Sequence, residues 1–173
     1  MLVTQALRIA LLQRETEALA AFPTTSVPAY EESISGRAAV ELDSLYAEAW
    51  AGLANAIALF PNCIDRGWTE WLPRADSTVR RALAINPRLG EAHASLALVL
   101  TYRWELEEAR EFIERAIEFN PNYAQGHSLR GYLALIFGDV TQARNSAEQA
   151  LALDPRSVAR NYNAAIQYLR AKA

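Results

Sequence analysis

Two histidines, His93 and His127, are the only imidazoles in the chain, and they stand 34 residues apart. Stacked repeats could bring two imidazoles together, and such a pair can hold a metal. A metal site also wants further ligands converging, and no cysteine or histidine lies at metal-binding spacing from either ring. Both histidines occupy a recurring large-residue position, held by Trp50 in the preceding unit. A flat amphipathic ring packing there is therefore the better reading. Cys63 is the single cysteine, a thiol that Arg66 would activate and Asp65 would oppose. It can form no internal disulfide and suits a reducing compartment, and lone thiols are more often inert. Glu105, Glu107 and Glu108 lie at and just after a turn, where carboxylates favour the start of a helix, so they do not read as an acid–base pair. Phosphate-cradling loops, zinc-type spacings, metalloprotease motifs and nucleophile elbows are all missing from the sequence. The expectation is a chain that is not an enzyme and uses no cofactor and no metal.

The elements that carry these residues repeat. Pro87, Pro121 and Pro155 are spaced 34 apart, and each closes a matching phrase: Ala82 to Asn86, Ala116 to Asn120, Ala150 to Asp154. A helix ending at Asn or Asp before proline is expected, because proline lacks the N–H and pushes its predecessor out of the α region. Within one period, Ala92, Leu96, Ala97 and Leu100 recur at helical spacing, and Ala109, Phe112, Ile113 and Ala116 follow suit. Small residues recur at matched places, Ala97 with Gly131, Ala109 with Ala143 and Ala116 with Ala150, marking close helix crossings. Phe137, Gly138 and Asp139 write the turn between paired helices, with Gly138 free to take the left-handed cap.

This pattern resembles the tetratricopeptide repeat family. Gly90–Tyr123 supplies His93, Leu96, Ala97, Leu100, Ala109, Ala116 and Pro121; Ala124–Ser157 supplies His127, Gly131, Ala134, Ala143, Ala150 and Pro155; Ala47–Leu89 supplies Trp50, Leu53, Ala54, Ile57, Ala75, Ala82 and Pro87. Arg130 departs from the expected leucine, which predicts poorer packing of its helix. The resemblance implies an all-α, right-handed solenoid of helical hairpins: a degenerate repeat over 1–46, a repeat with an inter-helix insertion over 47–89, repeats over 90–123 and 124–157, and a capping helix over 158–173. In the degenerate unit Leu2–Ala20 and Tyr30–Leu42 read as the two helices, with Ser44 where proline would stand. The phrases Ala47–Ala56 and Glu91–Leu100, with the long insertion, resemble the repeat region that follows nucleotide cyclase, winged-helix or kinase domains in bacterial signalling proteins. None of those domains is in this sequence, so the resemblance implies a regulatory or scaffolding module, a fragment of such a protein or a free-standing relative.

In this family the first helices line a concave groove that holds partner segments. Carried over, the lining comprises Asn55, then Leu98, Thr101 and Tyr102, then Tyr132, Leu135 and Ile136. Of the lysines, arginines and asparagines that clamp a peptide's terminal carboxylates in some members, only Asn55 has a counterpart. An extended or helical apolar segment of a protein is therefore the expected partner, since tyrosines give contact area at low entropic cost. The Ala47–Leu89 unit runs 9 residues longer than the two that follow it, the excess lying around Phe60–Pro73. There Trp68 and Trp71 are either interface anchors or a self-packing cover over the N-terminal helices. Beyond Pro155, Tyr162, Ile166 and Leu169 would stay uncovered on a last helix, which makes a homodimer the alternative role. A formal charge of −3, with Lys172 the single lysine among 17 basic residues, gives no reason to bind nucleic acid. With no secretory signal pattern and no membrane-length apolar run, cytoplasm is the expected location.

Overall fold

The structure is a computed structural model and describes residues 36–59 and 68–155. All regular structure among them is helical: α1 (36–42), α2 (Ala47–Leu59), α3 (Trp68–Ile85), α4 (Gly90–Tyr102), α5 (Leu106–Phe119), α6 (Ala124–Ile136) and α7 (Val140–Leu153). The helices pair as hairpins, α2 with α3, α4 with α5, and α6 with α7. The first helix of each hairpin packs on the first helix of the next, and α3 and α5 also pack on the first helix that follows them. The central helix α4 thus meets four others, and Gly90 and Ala92 to Thr101 are all buried. By contrast α5 buries only Ala109, Ile113 and Ala116 and turns its glutamates and arginines outward.

Close approach rests on the small residues. Ala54, Ala75, Ala82, Ala97, Ala109, Ala116 and Ala150 are wholly buried, and Ala143 nearly so. At Gly90 a Cβ would stand 2.8 Å from the Ala116 carbonyl oxygen and from the Asn120 Cβ, so only glycine fits without a shift.

The junctions between hairpins share one construction. Asp43, Asn86 and Asn120 each follow the last turn of a helix. Each accepts on Oδ1 from the backbone N–H two residues on, at 2.9, 3.1 and 3.2 Å. Their carbonyls accept from the N–H three residues on, each at 3.2 Å. This Asx-turn explains why Asn or Asp precedes proline: its side chain does the turn's hydrogen bonding while proline fixes the backbone.

The insertion differs from expectation. Helix α3 starts at Trp68 and absorbs 68–73, with Pro73 inside it. A proline that near a helix start withholds one bond and leaves most of the ladder intact. Residues 60–67, Cys63 among them, lie outside the described residues, as do 1–35 and the expected last helix.

The turns inside the second and third hairpins share three backbone hydrogen bonds. Glu105 N–H donates to Leu100 O at 3.0 Å and Asp139 N–H to Ala134 O at 2.8 Å, closing each helix with a left-handed residue, Trp104 (φ +66°) and Gly138 (φ +79°). Left-handed backbone costs a residue with a Cβ about 1–2 kcal/mol, and glycine's extra freedom in the unfolded chain returns about 0.5–1 kcal/mol of that. Trp104→Gly is therefore expected to stabilise the fold by about 1 kcal/mol, measured by urea unfolding. A loss of stability would mean that the indole packs.

Candidate partner-binding face

The junction bond reaches into the helices through the recurring large residue. Trp50 donates Nε1–H to the Ser44 carbonyl at 3.0 Å. His93 Nε2 is 2.8 Å from the Pro87 carbonyl, and His127 Nε2 is 2.8 Å from the Pro121 carbonyl. In all three the partner stands six residues earlier. A carbonyl only accepts, so each histidine carries its proton on Nε2 and has one lone pair left, on Nδ1. At His127 that lone pair faces an Arg130 guanidinium N–H at 3.3 Å. At His93 it is buried without a hydrogen-bond partner, the ring lying against Phe112 and Phe119 at centroid distances of 5.6 and 5.1 Å. Each ring nitrogen that could bind a metal is thus turned to packing or to a neighbour. Among the described residues no three His, Cys, Asp or Glu side chains gather as metal ligands.

Arg130 does not loosen its helix as the sequence suggested. Its Nε donates to Ser146 Oγ at 2.9 Å, one terminal nitrogen donates to Gln149 Oε1 at 2.9 Å, and the other is 3.7 Å from Glu114. Ser146 is fully buried and also accepts from Gln142. One repeat earlier the same two positions hold Leu96 and Phe112. An apolar pair has been exchanged for a hydrogen-bonded polar pair, so the guanidinium is satisfied where a leucine was expected.

The face made by α2, α4 and α6 is more closed than the sequence predicted. Leu98 is 8% exposed and Thr101 2%, the latter donating to its own helix at Ala97 O. Leu98 packs with Ala58 and Val99, and Ile57, Tyr102 and Leu129 lie against that cluster. Asn55 is also buried, and its Oδ1 accepts from Gln125 Nε2 at 3.0 Å, tying the first hairpin to the third across 70 residues. The reason is again side-chain size: with alanine at 51, 54, 94 and 97, helices α2 and α6 lean over α4 and cover it. Leu98, Thr101 and Asn55 are therefore structural and offer no open lining. Ile136 is partly buried against the main core. What stays accessible is the outer part of α6: Tyr132 is 51% exposed, Gln125 is exposed, and Ser128 and Leu135 are half-buried, with Tyr102 half-buried on α4. The helices of this face carry Glu48 and Glu91, and their one described cation, Arg130, is turned to Ser146 and Gln149.

The remaining candidates fall elsewhere. Trp71 is half-buried with the Arg74 guanidinium 5.2 Å from its ring centroid. Glu107 and Glu108 sit in the first turn of α5, where they face the positive end of the helix dipole. The side chain of Trp68, and Tyr162, Ile166 and Leu169, lie outside the described residues.

Residues 91–123 match the model of the tetratricopeptide repeat. No curated protein sequence is significantly similar to the chain. Among solved structures, a thermophilic tetratricopeptide-repeat protein of Thermus thermophilus superposes with a TM-score of 0.62 at 20% identity, covering 96% of this chain and 94% of that one. The second such domain of Spaghetti (RPAP3), solved bound to the HSP90 peptide SRMEEVD, gives a TM-score of 0.50 at 20% identity over 62% of this chain and 92% of that one. The fold is thus the tetratricopeptide-repeat solenoid that the 34-residue period predicted. No helix among the described residues is long and apolar enough to cross a membrane.

Two comparisons between variants follow from these bonds. Replacing His93 by Phe removes the bond to Pro87 but also a buried lone pair without a partner, whereas His127→Phe removes two bonds, one to Pro121 and one from Arg130. His127→Phe should cost about 1 kcal/mol more than His93→Phe in urea unfolding; equal costs would refute the assigned tautomers. Arg130→Leu alone should cost about 1–3 kcal/mol, and adding Ser146→Phe should recover most of it, a coupling that a double-mutant cycle measures.

Proposed function

We propose that the chain is a non-catalytic protein-interaction module that holds a segment of a partner protein against the outer part of α6. The observation that carries this reading is Tyr132, half exposed, with Gln125, Ser128 and Leu135 at helical spacing beside it on a face built from otherwise closed helices. A tyrosine held on a rigid helix offers a large contact surface at small entropic cost, and solenoid faces of this kind commonly bind protein segments. The absence of a free cation on this face, among the described residues, argues for an apolar or neutral segment. The acidic peptide bound by the second domain of Spaghetti would find no clamp here. A regulatory or scaffolding role in bacterial signalling is the setting that the sequence resemblance favours, and the lone thiol Cys63 suits a reducing compartment such as the cytoplasm.

Self-association is the second reading. Val140, Leu151 and Leu153 are exposed large apolar side chains on α7, the last described helix. In this reading Tyr162, Ile166 and Leu169, or the insertion bearing Trp68 and Trp71, would contribute the contact. A mass by light scattering that stays monomeric at millimolar concentration removes it.

Tyr132→Ala should leave stability within about 0.5 kcal/mol, because the ring is half in water. It should weaken binding of a partner captured from native lysate at least tenfold, about 1.4 kcal/mol, as measured by titration calorimetry. Undiminished affinity would refute the α6 face as the binding surface.

A further inference from the structure

Trp104 is the one non-glycine residue with positive φ among the described residues, and its side chain is 70% exposed. Its counterpart one repeat later is Gly138, in a turn closed by the same three backbone hydrogen bonds. Folding alone would place glycine at both. A bulky residue at that conformation adds strain, and an indole left in water returns little packing for it.

The ring is also bare. Trp50, Trp71, Phe112, Phe119 and Phe137 each carry an arginine guanidinium 4.8–5.6 Å from the ring centroid. Trp104 has no such partner among the described residues. The adjacent Arg103 is engaged elsewhere, its Nε 2.9 Å from Glu105 and a terminal nitrogen 3.8 Å from Asp76. The surroundings are acidic. Glu107 and Glu108 follow within four residues, both exposed and without an ion pair among the described residues. Asp76, Glu105, Glu107 and Glu108 outnumber Arg80 and Arg103. The Arg80 guanidinium is held above its ordinary pKa, chiefly by its hydrogen bond to Asp76 and in smaller part by Glu108 and Glu105, which places those carboxylates in one field.

We propose that the α4–α5 turn is a second docking point, for a cationic segment of a partner protein whose arginine or lysine lies over the Trp104 indole beside Glu107 and Glu108. The cation supplies the guanidinium or ammonium that the molecule's other aromatic rings already have, and ring and carboxylates attract it together. This surface is separate from the α6 face and does not depend on it.

The test uses the full chain labelled with 5-fluorotryptophan and followed by fluorine NMR. The Trp104 line is assigned by its absence in Trp104→Gly. The probes are the blocked hexapeptide Gly-Leu-Arg-Arg-Leu-Gly and the same peptide with Glu in place of Arg. The arginine peptide should shift the Trp104 line saturably, more weakly as salt rises, and the glutamate peptide should not. By calorimetry, Trp104→Gly and the pair Glu107→Gln with Glu108→Gln should each weaken arginine-peptide binding at least tenfold, while Glu118→Gln should leave it unchanged. Trp104→Gly should at the same time raise the melting midpoint by about 2–4 °C, so the lost binding is not unfolding. The proposal is overturned if the arginine peptide leaves the line unmoved, or if Trp104→Gly binds it equally well. It is also overturned if that variant melts lower, or if the line moves on raising the protein concentration alone, which would make a second copy the occupant.

Discussion

Everything in this solenoid hangs on the short junction where one hairpin hands over to the next. Three residues there, an Asx, a proline or serine and one more, must reverse the chain within a single turn and leave no backbone group stranded. The Asx side chain accepts the N–H two residues on, its carbonyl takes the N–H three residues on, and the following carbonyl receives a ring N–H from the next helix. A flexible side chain at that last position would leave the angle between hairpins loose. Trp50, His93 and His127 are all planar rings with one N–H at the right reach. Each bond is worth only about 1 kcal/mol net, but it fixes how one hairpin leans on the next, and the lean accumulates along the stack.

The lean is what closes the first-helix face. Where the crossing residues are alanine and glycine, backbones approach until a Cβ at Gly90 would meet the Ala116 carbonyl. Three hairpins set that close bring Gln125 to Asn55. The middle helix then has no solvent side, which is why it is apolar or small nearly all round while α5 and α7 are striped. Side chains that project past the closure are what that face presents to solvent, and Tyr132 is the most exposed large one among them.

Much of the fold was legible in the sequence because a period is a strong constraint: matched prolines, alanines and large residues all land on equivalent places in the structure. The left-handed Gly138 was legible on other grounds, because a glycine between two helices is free to take that cap conformation. The recurrence of a large residue at 50, 93 and 127 was visible, yet its hydrogen bond was not, since the sequence does not say that a ring nitrogen reaches a carbonyl six residues back. The groove lining was read with the wrong openness at Leu98, Thr101 and Asn55. Position in a repeat says which way a residue points, whereas exposure depends on how far the neighbouring hairpins lean, a sum over all the crossings. Arg130 was read as a defect because it was considered alone. Its meaning lies in the pair it forms with Ser146, a residue that no pattern marks.

A repeat also supplies its own control. Equivalent positions share backbone and neighbours, so a residue that departs from its counterpart with a matching change across the contact belongs to folding. One that departs alone, at a cost, does not. Arg130 and Ser146 together replace Leu96 and Phe112, and the exchange closes within the core. Trp104 replaces nothing in this sense: its counterpart in the next repeat is a glycine in a turn closed by the same three backbone bonds, and the indole stands exposed. The backbone there accepts a strained conformation for the sake of a side chain that the fold does not use. By that comparison the polar exchange in the third hairpin is a variant way of filling the solenoid, and the tryptophan on its edge answers to something outside it.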